Sequence, residues 1–485
     1  MKKFISLVIV LSILLVPLES IAINIPGYEG GIQNESTYKE VIFITGEPII
    51  MEGTLTVKVK EKGDTRTEQY TYKLQNMEKG AKLSRSVKLV ETLEKRENQV
   101  TSQKKLDGYK ETIEIGKKKY EVKDENYQWN QGTVLHNTPL VGYCAGDWSA
   151  RKTYIVDKGA EIVTVQTIGN LVGYDSPWSA TETQIQEYII NYEQKKENGL
   201  KWEGTATVED SYNRTKDYAY VDNVPNQISF KGGFLLTETQ DNVLKYSYDL
   251  PRKINGTIVK GRNIGENSFS IDTNPIIERL NIPAVRDALG LPNEKDILLL
   301  ASMDAFPLDS NYLGTSTPMS RGDFARAITL SMGVELPKEE TKKGKKKVEE
   351  KQPTYIDVGK NHRNYPYIEA VSEKGIMDGV GKGRFEPDRP ITRAEGVSIL
   401  IRLLGFQNLA PIQNYSTDYI DDEKIPKWSK DFVYVAKELG IIDTEGYFYP
   451  SRPLTKGECA TLLVNFIEYL QDDLRYDYRE NILNN

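Results

Sequence analysis

From about residue 38 to residue 273, hydrophobic and polar side chains alternate with the two-residue period of half-buried strands. In 53–60, Leu55, Val57 and Val59 alternate with Thr54, Thr56, Lys58 and Lys60. Gly63-Asp64 marks a turn, and the next run places Tyr70, Tyr72 and Leu74 on one face. Similar runs occupy 87–93, 112–115, 161–168, 183–192, 233–239 and 243–250, with Gln240-Asp241-Asn242 read as a hairpin turn between the last two. Strands joined by short polar turns, with no helices between them, predict an antiparallel sheet that hides its edges as a curled sheet, sandwich or barrel. A short echo runs through the region. Glu52-Gly53-Thr54-Leu55-Thr56-Val57 recurs as Glu203-Gly204-Thr205-Ala206-Thr207-Val208, and Tyr70-Thr71-Tyr72 resembles Tyr246-Ser247-Tyr248. Two related β-lobes would produce this, as would chance repetition of short strand words.

Beyond about residue 283 the period becomes helical and the chain repeats itself. Tyr355-Ile356-Asp357-Val358 and Tyr419-Ile420-Asp421-Asp422 open two units that run in parallel. Each passes through a helical stretch (368–374 and 432–439) to Gly375-Ile376 or Gly440-Ile441, where the glycine ends the helix. Each then reaches a Gly-x-Phe-x-Pro turn, at Gly383/Phe385/Pro387 and Gly446/Phe448/Pro450. Thr392-Arg393-Ala394-Glu395 and Thr455-Lys456-Gly457-Glu458 then start a second helix with the Thr and Glu of a capping box. Val397, Ile399, Leu400, Leu403 and Leu404 supply its buried stripe. A unit of this length cannot bury its apolar face alone, so stacked neighbours are expected to complete the core. A degenerate copy precedes them, with Ser320, Arg321 and Asp323 in the cap, basic and acidic slots before a helix at 324–332, and without the Gly-x-Phe-x-Pro turn. The repeats are assigned to 283–334, 354–407 and 418–470, with a charged linker at 338–352.

This pattern resembles the S-layer homology domain of bacterial surface proteins. The resemblance implies a mostly helical, three-fold pseudo-symmetric module following the β-rich region, a multidomain α+β chain. It also implies grooves between the repeats that hold secondary cell-wall polymer, a glycan carrying pyruvylated N-acetylmannosamine. Carried over residue by residue, the basic slot is Arg321, Arg393 and Lys456, facing the pyruvyl carboxylate. Trp428 takes the place of an aromatic that packs on the sugar, and Arg363 stands at the equivalent position of the second repeat. Asp357 and Asp421 fill an early acidic slot, as ligand contacts or as caps of the first helix, and Gly375 and Gly440 line the groove. Glu395 and Glu458 are read as capping-box members. Arg393 is read as functional, because a cation in the first helical turn opposes the helix dipole.

Composition narrows the remaining possibilities. The 485 residues carry 63 Lys plus Arg against 70 Asp plus Glu, a net charge of −7 that argues against nucleic-acid binding. With 39% hydrophobic residues the chain can build folded cores. Lys2 and Lys3, an apolar run to Val16 and small residues at Ser20 and Ala22 read as a signal peptide over 1–22. No later segment reads as a membrane span. The 2 cysteines and 2 histidines match no metal or redox spacing, and no cofactor is implied. In 23–280 the candidate chemistry is thin. Cys144 with His136 lacks an orienting third group, and Asp147, Asp175 and Glu182 lie near Trp148 and Trp178 as a sugar cleft or as core packing would place them. The expectation is a secreted, non-enzymatic surface protein held to the wall by its repeats. The alternatives are a wall-glycan enzyme delivered by them, or a lattice subunit.

Overall fold

The computed structural model describes residues 30–96, 98–222, 232–254, 257–308, 310–337, 352–412, 415–443 and 446–479. The signal peptide at 1–22 and almost all of the charged linker lie outside these residues. The β-rich region is one 15-stranded antiparallel sheet whose strands pair mostly with their sequence neighbours. Two lanes are split between successive short strands. Lys118–Lys123 and Tyr127–Asn137 share the space between Gln99–Ile115 and Gly142–Val156. Thr257–Ile271 and Ile276–Asn281 share the outer side of Gly233–Ile254. That last strand runs unbroken through Gln240, Asp241 and Asn242, which pair with Arg214, Asn213 and Tyr212, so the hairpin turn expected there is not formed. Cross-strand pairing on one side, and on both at Asn242, outweighs the local turn preference of three polar residues. The two echoed words lie in the same register: Leu55 and Val57 face Tyr72 and Tyr70, as Ala206 and Val208 face Tyr248 and Tyr246.

The sheet curls until its ends meet. Asn34 donates to Asp272 O at 2.8 Å, and Phe43 packs on Tyr188 and Tyr246 at 5.9 and 6.0 Å. The interior is not wholly apolar. Arg85 donates to both oxygens of buried Glu40 at 2.8 Å and also to Glu111, which accepts from Tyr154 at 2.7 Å.

Among the described residues, six α-helices of nine or more residues form the repeats of the C-terminal module: α1 (Glu294–Ser302), α2 (Arg321–Ser331), α3 (Tyr365–Glu373), α4 (Arg393–Leu404), α5 (Lys427–Glu438) and α6 (Lys456–Glu468). The second helix of each repeat packs on the first helix of the next, α2 on α3, α4 on α5 and α6 on α1, which closes a three-fold ring. Its centre is a cycle of backbone bonds: Met319 N to Leu454 O, Leu454 N to Ile391 O, and Ile391 N to Met319 O, at 2.8, 3.0 and 2.9 Å. Past α6 the chain stays helical to Tyr478, beyond the repeat boundary expected at 470.

Sheet and module share one hydrophobic core, in which Tyr143, Tyr174, Trp178 and Phe234 lie among the helices. The sheet also satisfies the carbonyls that each core helix leaves unpaired at its C-terminal end. Trp178 Nε1 donates to Ser331 O at 3.1 Å at the end of α2. Tyr143 and Thr138 donate to Leu404 O and Leu403 O at 3.1 and 2.6 Å at the end of α4, and Ser179 donates to Leu470 O beyond α6. Among the described residues no helix is long and apolar enough to cross a membrane.

Candidate functional site

The basic slots sit at the opposite ends of those same helices, about 15–20 Å away at 1.5 Å of rise per residue. Thr392 and Thr455 close full capping boxes with Glu395 and Glu458. Ser320 caps α2 through Asp323 N at 3.1 Å, but the Asp323 carboxylate turns instead to Asn364 and Arg363, at 2.7 and 2.8 Å. Each helix start fits against the turn of the following repeat. Arg321 N, Arg393 N and Lys456 N donate to Arg389 O, Arg452 O and Thr317 O, all at 2.9 Å.

The early aspartates neither cap the first helices nor stand free. Asp357 accepts from Phe385 N and Glu386 N, both at 2.9 Å, and Asp421 accepts from Phe448 N and Tyr449 N at 2.7 and 2.9 Å. They clamp the turn that carries the phenylalanine. Burial works to raise the Asp357 carboxyl, but the two N–H donors and Arg384 outweigh it and hold it below its ordinary value. The first repeat carries the same clamp in altered residues. Asp287 accepts from Leu313 N, Gly314 N and Thr315 N at 2.9, 2.7 and 2.9 Å. Leu313 thus stands where Phe385 and Phe448 stand, and Asp304, at φ 57°, ends α1 as Gly375 and Gly440 end α3 and α5 at 66° and 70°. Sequence reasoning missed Asp287 and Leu313. The equal distances from Leu313 to Pro318, Phe385 to Pro390 and Phe448 to Pro453 could have found them. The place of Gly375 and Gly440 is that of helix stops, with open space where a Cβ would be.

The three basic slots differ in what surrounds them. Arg321 is 5% exposed, lies over the Phe385 ring, and donates to Phe385 O and Asp378 O at 3.1 and 3.0 Å, with Glu395 at 3.6 Å. Beside it Arg363 is tied to Asp323. Lys456 donates to Leu313 O at 2.9 Å, the residue that stands where the other two repeats carry a phenylalanine. Arg393 is half-buried over the Phe448 ring, 5.3 Å from its centre, and among the described residues no carboxylate comes within ion-pair distance. Trp428, 55% exposed, stands in the first turn of α5, which packs on α4. The packed second and third repeats thus present a guanidinium with no carboxylate partner among the described residues and, on α5, an exposed indole.

In the sheet, Trp148 and Trp178 are both 2% exposed, and Asp147 points out of the opposite face from Trp148. Cys144 lies beside Leu135 and Tyr143 beside His136 on paired strands. Burial, then the nearby Glu182 and Asp175, push the Cys144 thiol well above its ordinary range. Asp175 instead lines a cleft between sheet and module, with Arg214 at 2.7 Å.

The family model of the S-layer homology domain matches residues 354–395 and 419–460. An endoglucanase of Bacillus sp. (strain KSM-635) is 31% identical over 25% of this chain and 12% of its own length. The surface layer protein of Brevibacillus choshinensis is 30% identical over 21% of this chain and 10% of its own. The S-layer protein sap of Bacillus anthracis is 30% identical over 23% and 13%. The matches thus span about an eighth or less of these relatives. With two matched domains, a third repeat of the same geometry and surface-layer proteins among its relatives, the chain is a cell-surface protein that carries S-layer homology domains.

Proposed function

We propose that the module anchors the protein to an anionic cell-wall polymer, and that the groove between the second and third repeats carries most of the grip. The observation that carries this reading is Arg393, whose planar fork has no carboxylate of its own among the described residues and suits bidentate capture of a ligand carboxylate such as a pyruvyl group. Trp428 offers its exposed indole to the apolar face of a sugar ring beside it. Arg321 is spent on internal carbonyls, while Lys456 supplies charge without a fork. Residues 30–281 are read as a displayed body rather than an enzyme. The buried, hard-to-ionise Cys144 and the burial of Trp148 and Trp178 support that reading.

The full-length protein should co-sediment with wall sacculi that retain their polymer and not with sacculi stripped of it by hydrofluoric acid. Arg393→Ala should weaken sedimentation by tenfold or more, about 1.4 kcal/mol, and Lys456→Ala by less. Undiminished sedimentation of Arg393→Ala would remove the proposed grip.

A further inference from the structure

The cleft between the rolled sheet and the helical module has a volume of about 760 Å³, and it belongs to neither the inter-repeat grooves nor the sheet interior. Its sheet wall carries Asp175, Arg214, Lys216 and Glu238, and its opposite wall is made of the C-terminal ends of α1, α2 and α3, near Asp304, Ser331 and Lys374. Arg214 is the fixed centre. Its side chain is 17% exposed and is held by Asp175 at 2.7 Å, Ser176 O at 2.6 Å and Glu238 at 3.6 Å. The two carboxylates remain 40% and 32% exposed, so each keeps lone pairs facing the cleft. Lys216 is steadied over the Trp178 ring at 5.5 Å. Burial holds the Asp175 carboxyl above its ordinary value despite Arg214.

We infer that this cleft is a second ligand site, built for a short neutral glycan. The wall alternates acceptor, donor and acceptor in positions fixed by ion pairing, and a sugar hydroxyl, being both donor and acceptor, matches such an array. Leu140, Leu236, Leu280 and Met303 supply apolar surface for the C–H face of a ring. An anionic polymer is disfavoured here. Arg214 is already neutralised by two acids, and the helix ends present carbonyls of negative partial charge. The volume lies within the range of small-molecule sites. Chemistry thus divides the two binding regions, with the acidic polymer at the helix starts and a neutral saccharide at the helix ends.

The test titrates the full-length protein calorimetrically with cellotetraose, maltotetraose and chitotetraose. At least one should saturate, and the near-isosteric Glu238→Gln and Asp175→Asn should each weaken it about tenfold by removing an acceptor charge. Arg393→Ala should leave this binding unchanged while it weakens sedimentation with sacculi by tenfold or more, so the two sites fail independently. The inference is overturned if none of the three sugars binds, if both cleft variants bind like the parent, or if a wall stem tetrapeptide saturates the cleft in their place.

Discussion

Arg321 and Arg393 begin equivalent helices, and the chain spells their surroundings almost alike, yet one is structural and the other open. The difference comes from Phe385 O and Asp378 O, which accept from Arg321, and from Asp323, which gathers Arg363 and Asn364 around the same groove. Removing Arg321 leaves buried acceptors without a donor, each costing about 1–3 kcal/mol. Arg321→Ala should therefore lower unfolding stability in urea by about 2–3 kcal/mol, whereas Arg393→Ala should cost under about 1 kcal/mol. The reverse order would mean that the roles of the two arginines are exchanged. The sequence made the basic slots legible through Thr392-Arg393-Ala394-Glu395, but not their environments. A neighbour's carbonyl has no signature in side-chain order.

Elements were legible wherever period and cap agreed. The capping boxes, the glycine stops and the amphipathic stripes of α4 and α6 all follow from residues adjacent in sequence. The first repeat hid its turn because Leu313 and Thr315 replace Phe and Pro, although Asp287 preserves the clamp. In the sheet, strand Ser179–Gln194 inverts the expected pattern. Glu182, Gln184 and Gln186 face inward, at 3%, 2% and 1% exposure, while Ile185 and Ile189 point out. They form a polar belt with Asp210 between the sheet's own core and the one it shares with the helices. Burial, then each other or neighbouring acids, raise Glu182 and Asp210 well above ordinary carboxyls, although Gln186 and backbone donors to Asp210 pull the other way. A carboxyl raised in the folded state binds its proton more tightly there than in the unfolded chain, so stability is full below the unfolded value near 4 and falls as pH rises above it. Each such group can cost up to about 1.4 kcal/mol per pH unit in that window. The urea midpoint should therefore fall between pH 5 and pH 8, and Glu182→Gln, which cannot ionise, should make the fall shallower. An identical slope in the variant would exclude Glu182 as a source of it.

At the scale of the whole molecule, the expectation of a β-rich body followed by a separate helical anchor captured the order of parts and missed their union. Nothing in a strand's alternation tells whether its end meets water or a helix, so Tyr143, Trp178 and Tyr478 read simply as aromatics. Tyr478 donates to Cys144 O at 3.1 Å and lies 5.7 Å from the Tyr143 ring, which ties the last helical turn to the sheet. A fragment limited to residues 283–470 would lose that tail and bare the apolar ends of three helices. Its thermal unfolding should be broad and should start well below that of the full chain, with raised binding of a hydrophobic dye. A sharp transition at the parent temperature would show the module to be self-sufficient.

The grip of the strands on the blunt ends of α2, α4 and α6 also fixes posture. A protein tethered through the opposite ends stands upright, its sheet lifted clear of the tether by the length of those three rods. Drag on the raised body is then carried lengthwise down the rods to the footing, through several separate contacts at once.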